Sequence, residues 1–211
     1  MNLGEWIVIG FSAFLLIWYI AMNIFNRRRG IATYQWLRRG LVQVGDITES
    51  QWLGSSGTGA RIIVSQAKKP FRRLEAMYLL ETREILPYWI ISHLRGRRDE
   101  LIIKASLRTA PKIEIEVTKT NNRAMNELDS LEPKQATEQV QSAEGLSISR
   151  SGHGDDPGEK NLNEFLSDFG KSIQRISLKR QAPHLELRIG IKPLLITNSE
   201  SFFSMLQAWL L

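Results

Sequence analysis

From Trp6 to Phe25 the chain reads WIVIGFSAFLLIWYIAMNIF, without a charge and apolar except for Ser12 and Asn23, and Asn26-Arg27-Arg28-Arg29 follows at once. As a helix rising ~1.5 Å per residue, this run is about 30 Å long, the thickness of a bilayer's hydrocarbon core. The competing reading, a helix buried inside the protein, would need apolar cover on every side from a chain of 211 residues. The run therefore predicts a transmembrane helix, with residues 1–29 as an N-terminal anchor. A cleaved leader would carry positive charge before a short apolar stretch and small residues after it. Here the one charged side chain ahead of the run is Glu5, and the positive charge lies on the far side.

That charge sets the expected orientation. Lys and Arg close to a span tend to stay in the cytoplasm, so Arg27, Arg28 and Arg29 predict an N-terminus outside and a cytoplasmic C-terminal domain. Trp6 at one end of the run, and Trp18, Tyr19 and Phe25 towards the other, suit aromatic anchoring at the two interfaces. No other uncharged segment reaches spanning length, which makes the chain single-pass.

About 185 residues remain after the anchor, enough for one domain with its own core. The absence of cysteine excludes thiolate catalysis, disulfides and cysteine-ligated zinc. The net charge of +6 is unevenly placed: residues 121–160 carry four basic and eight acidic side chains, leaving +10 for the rest. In a tethered chain the nearest counter-charge is anionic lipid, so Arg27, Arg28, Arg29, Arg38 and Arg39 are candidate headgroup contacts.

Ile31, Tyr34, Leu37, Leu41 and Val44 recur at near-helical spacing. They predict an amphipathic juxtamembrane segment over 30–60, lying on the lipid surface, continuing the anchor helix or packing against the domain. Its end, Gly54-Ser-Ser-Gly-Thr-Gly59, precedes a strand and lacks Gly-Lys-Ser/Thr, so it is read as a linker and not as a phosphate loop.

The folded domain is expected over 61–211. Strands are predicted at 61–66, at 74–80 and around Leu101, Ile113, Ile176 and Leu185, where apolar residues alternate or β-branched residues cluster. Helices are predicted from Ile85, from Leu162, and at the end with Ser199 as cap and Phe202, Met205, Leu206 and Trp209 on one face. Residues 121–160, polar and without aromatics, predict a disordered insertion. The fold class is therefore α+β, a small mixed or antiparallel sheet with helices. From Leu74 the order β-α-β-β-α-β matches the ferredoxin-like split βαβ unit, with an extra strand and a C-terminal helix.

Chemistry is faintly written. His93 lies on an apolar helix and His184 in a turn expected to be exposed; His153 sits beside Asp155 and Asp156 within the polar segment, too poorly ordered for a metal site. Asp168-Phe-Gly and Ser65-Gln-Ala-Lys68 resemble kinase and penicillin-binding triplets but lack the companion motifs. The sequence assigns no catalytic, cofactor or metal residue. Its first functional reading is a membrane-anchored scaffold or adaptor that binds partner proteins and anionic lipid, with strand 112–119 as an edge open to a partner strand. A membrane-tethered enzyme using Glu75, Glu81, Glu114 or Glu116 is the alternative. A nucleic-acid module is third, because the basic clusters lack aromatics exposed on a sheet.

Overall fold

The computed structural model describes residues 2–119, 138–141, 145–151 and 159–211. Helix α1 runs unbroken from Leu3 to Val44, 42 residues. At ~1.5 Å per residue it is about 63 Å long. The expected division into an anchor ending at 29 and a separate segment from 30 has no counterpart in its backbone. The two halves differ in burial instead. Up to Phe25 the side chains are exposed or half-buried; from Asn26 onward a stripe through Asn26, Gly30, Thr33, Leu37, Gly40, Leu41 and Val44 is buried. Steps of three and four residues keep one helix face against a neighbour. The second half of α1 is thus a core helix of the domain, not a helix lying on lipid, and Ile31 is left outside the buried stripe.

Nine strands follow among the described residues: β1 Glu49–Trp52, β2 Gly59–Val64, β3 Phe71–Leu79, β4 Glu100–Leu107, β5 Glu114–Lys119, β6 Glu138–Gln141, β7 Leu146–Ser151, β8 Ile173–Leu178 and β9 Leu185–Gly190. They are accompanied by α2 Leu86–Leu94, α3 Glu159–Phe169, the single turn α4 Ile191–Leu194 and α5 Ser199–Leu210. The strands form one sheet in the order β1-β2-β3-β4-β9-β8-β5-β7-β6. Every neighbouring pair is antiparallel. The fold is α+β, as the patterning predicts.

Several finer expectations are corrected. In a split βαβ unit the strands flanking a helix run parallel with another strand between them. Here β3 and β4, which flank α2, are adjacent and antiparallel, so the ferredoxin-like arrangement is not the one formed. Gly54–Gly59 is not a linker ahead of the domain, because it turns β1 into β2 and packs on α1. Strand β5 is not an edge: β7 and β8 pair with its two sides. Of the segment expected to be disordered, 120–137, 142–144 and 152–158 (with His153) lie outside the described residues. Within its remainder β7 pairs along all six of its residues with β5, and Leu146 and Ile148 are buried.

One sheet face carries Ala60, Ile62, Val64, Leu74, Ala76, Tyr78, Leu101, Ile103, Ala105, Leu185, Leu187 and Ile189, which share a hydrophobic cluster with α1, α3 and α5. The other face is mainly charged, with Ile63, Met77 and Ile102 set among the charges. Its successive cross-strand neighbours Glu75, Lys104 and Glu186 alternate in sign, and Arg61 holds Glu75 in a bidentate pair at 2.7 and 2.9 Å. Alternation of apolar and charged residues along each strand produces this division.

Helix α5 closes the core, with Asn198 and not Ser199 as its cap, accepting from the Glu200 and Ser201 amides. Phe202 and Phe203 sit edge-on at 5.2 Å and pack on Trp36 and Phe165. Such rings add about 0.5–1.5 kcal/mol per pair beyond their burial. The α1–α5 contact is close because residue 40 is glycine: a Cβ there would meet the Phe203 ring and stand 2.8 Å from the Ser199 carbonyl oxygen.

Two outcomes follow for stability. Gly40→Ala overpacks this contact and costs about 1–3 kcal/mol, whereas Gly10→Ala, with nothing within 4 Å of the new Cβ, leaves domain unfolding unchanged; denaturant titration in detergent separates the two. Burial raises the Glu100 pKa, with Arg188 lowering it in part and Glu186 adding to the rise. Folded Glu100 therefore keeps its proton to higher pH than the unfolded chain, and stability falls as pH rises through that window. Glu100→Gln should stabilise the protein at neutral pH and have no effect below the ordinary carboxylate range. Glu75, lowered chiefly by the Arg61 hydrogen bond, has the opposite sign: its contribution is present above the ordinary range and disappears as pH falls through the depressed pKa.

Candidate functional site

The polar side chains buried together lie where α1 leaves its apolar half and enters the domain. Asn26 is fixed on α1 one residue beyond the uncharged run, on the buried stripe. Its Nδ2 donates to the Glu81 carbonyl oxygen at 2.8 Å and to Glu84 Oε2 at 2.9 Å. Its Oδ1 accepts from Arg83 at 3.1 Å. Arg83 also forks onto Asp99, both bonds 2.9 Å, and Arg29 joins the same carboxylate with its Nε 2.8 Å from Oδ2. Asp99 Oδ1 accepts the Glu81 amide at 2.9 Å as well. Glu81 Oε2 accepts from the Trp89 indole at 2.9 Å and lies 3.4 Å from His93 Nδ1.

This network joins α1, the end of β3, α2 and the start of β4. The carboxylates of Asp99 and Glu81 are almost fully buried, and the guanidinium side chains of Arg29 and Arg83 are largely so. Charges removed from water to this degree require partners. The two guanidinium groups also lie over the Phe25 ring, at 5.9 and 5.6 Å from its centroid. Trp18 completes the junction by donating its indole N–H to the Arg83 carbonyl oxygen at 2.9 Å and packing on Trp89, with ring centroids 5.7 Å apart. One turn further along the same face of α1, Gly30 lets the Ser56 carbonyl approach, and Tyr78 donates its hydroxyl to the Gly30 carbonyl at 2.9 Å. Burial raises the Tyr78 pKa. A cleft of about 290 Å³ opens here, lined by Asn23, Asn26, Arg27, Ser55, Ser56, Gly57 and Glu84.

The residues singled out from the sequence divide accordingly. Trp6, Tyr19 and Phe25 are exposed on α1, and Trp18 is half-buried against the domain. Arg27 and Arg28 are exposed, while Arg29 turns inward to Asp99. Arg38 and Arg39 are exposed too, but about 16 Å further along the helix than Arg27 and Arg28, beyond the ~8 Å Debye length of physiological salt. Glu75 is paired with Arg61, Glu116 with Arg175 at 3.0 Å, and Glu114 accepts the Arg180 amide. Glu81 belongs to the junction. His184 is half-buried and not exposed, its Nδ1 accepting from the Leu107 amide. Asn26, Arg83, Asp99 and Trp89 received no site role from the sequence. The one advance sign was an amide followed by arginines at the end of an apolar run.

The apolar half of α1 is long and apolar enough to cross a membrane: its best 18-residue window has a mean hydropathy of 2.1 and holds no buried residue. Among the described residues it is the one helix of that kind. A core helix of a water-soluble domain would be covered. One such helix followed by a sheet domain is compatible with a single-pass, membrane-anchored protein.

Asp99→Asn removes one negative charge from a buried set that holds two guanidinium groups. It should cost about 3–5 kcal/mol, the range for breaking a buried pair, read as a lower denaturation midpoint in detergent and faster proteolysis between residues 81 and 99. Comparison with protein-family models and with curated proteins finds no match to this chain, so its functional reading rests on this geometry.

Proposed function

We propose that the protein is a single-pass membrane anchor that holds an α+β binding domain against the cytoplasmic face of a bilayer, with its N-terminus outside. The observation that carries this is the change along α1. The same unbroken helix is apolar and holds no buried residue up to Phe25, and is built into the domain core from Asn26. Orientation follows from Arg27 and Arg28 at that boundary, because basic residues resist translocation. Arg29 contributes less to lipid than its neighbours, since Asp99 already engages it. Arg38 and Arg39 stand too far along the helix to feel headgroup charge strongly when α1 runs along the bilayer normal.

The domain acts by binding. Among the described residues β1 offers a sheet edge whose four residues are all exposed, Trp52 among them. An exposed edge supplies backbone donors and acceptors to an added strand. Protein partners, with anionic lipid held by Arg27 and Arg28, are the ligands this reading names.

The native chain has no cysteine, so Gln51→Cys gives a single thiol on the exposed edge. A membrane-impermeant maleimide should label it in inverted vesicles and not in intact cells. Labelling in intact cells would overturn the cytoplasmic placement. In vesicles, replacing both Arg27 and Arg28 by Gln should weaken the preference of the inserted protein for anionic lipid by about 1 kcal/mol per arginine.

A further inference from the structure

Helix α2 is assembled inside out. The side facing the protein is the polar-bonded one: Trp89 donates to Glu81, His93 lies beside the same carboxylate, and Ser92 is buried. The outward side is apolar, with Ile90 44%, Ile91 51% and Leu94 81% exposed, and Ile85 and Tyr88 exposed beside them. A helix on a water-bathed surface has the reverse arrangement. Exposed apolar side chains gathered in one nine-residue helix need a covering.

The position of α2 along α1 identifies that covering. A span needs about 20 apolar residues, and the uncharged run between Glu5 and Arg27 supplies them only if it is used up to Phe25. Trp89 packs on Trp18, seven residues before Phe25. At ~1.5 Å per residue this contact lies about 10 Å towards the bilayer centre from the end of the run. Keeping α2 in water would leave only Trp6–Ile17 for the membrane, about 18 Å and too short to cross it. With the whole run in the bilayer, α2 lies at the depth where interfacial helices bury their apolar side, ~5–10 Å into the headgroup–acyl boundary. Its flanks suit that level. Tyr88 is an interfacial residue type, and its hydroxyl accepts from Arg97 at 2.8 Å. Arg95, Arg97 and Arg98 close the helix with exposed positive charge, suited to anionic headgroups.

We propose that α2 is a second membrane element, a helix seated in the cytoplasmic interface of the bilayer with Ile90, Ile91 and Leu94 in the acyl region. The proposal rests on α1 being a membrane span. It fixes the domain to the lipid at two points, so the domain cannot tilt away from the surface on its anchor.

The test uses the full chain reconstituted in phosphatidylcholine–phosphatidylglycerol vesicles. Single spin labels are attached through Ile91→Cys or Leu94→Cys, with Ile17→Cys in the span and Gln51→Cys on the β1 edge as references. Each label is read for relaxation by oxygen, which concentrates in lipid, and by a water-soluble nickel complex. The expected result is oxygen-dominated relaxation at 91 and 94, at a depth between the references. Nickel-dominated relaxation at 91 and 94, as at 51, with a lipid-buried label at 17, overturns the proposal and leaves the anchor standing. Nickel access at 17 overturns the anchor, and α2 with it. Labels at 91 and 94 shielded from both reagents also overturn the proposal, because protein and not lipid would then cover α2.

Discussion

The fixed relation between helix and sheet depends on a carboxylate held by two arginines. Asp99 receives Arg29 from α1 and Arg83 from the loop after β3, and it takes the Glu81 amide as well. Each charge alone would be expensive to bury; together they neutralise one another where α1 passes from its apolar half into the domain, although Arg29 Nε and Glu81 Oε1 have no hydrogen-bond partner there among the described residues. A purely apolar contact there would be indifferent to sliding along the helix. A forked guanidinium–carboxylate pair, with Asn26 bonded on both sides, has one register. Directional bonds at the junction and dense packing further up α1 divide the work: the first sets position, and the second supplies most of the stabilisation.

Much of this was legible in advance. The uncharged run announced an apolar helix of spanning length, and the alternation in β3, β4 and β9 announced a half-buried sheet, because both signals come from the apolar pattern. The misplaced boundary at residue 30 has a definite cause. The buried stripe of α1 passes through Asn26, Gly30 and Thr33, residues that carry no hydrophobic signal. Gly30 and Gly40 are there because another chain segment comes too close for a Cβ. A periodicity search gives weight to Ile31 instead, which stays outside. Similarly, Gly54–Gly59 has the composition of a flexible linker, and only its fit against Gly30 and Asn26 shows it to be a packed turn.

The sheet order was beyond reach for another reason. The β-α-β-β-α-β succession is the same whether the strands flanking a helix are neighbours or are separated by a third. The difference lies in pairing between strands distant in sequence, such as β4 with β9 and β5 with β8. Glu81 and Asp99 were equally hidden: in the sequence they are one carboxylate beside a strand and another after an arginine pair, and only the return of β4 beside β3 brings them to Arg83 and Asn26. The apolar character of α2 was visible, and its outward direction was not.

The continuity of α1 couples two angles that a linker would separate. Each residue turns an α-helix by about 100° and advances it by ~1.5 Å. The compass direction in which the domain faces, seen down the axis of the apolar run, is therefore set by the phase of the helix between Phe25 and Asn26. A single residue gained or lost there during divergence would swing β1 and the polar sheet face about a quarter turn around the span, while hydropathy and core composition remained almost the same. For a chain built this way, the number of residues between apolar run and core is an inherited bearing as much as a length.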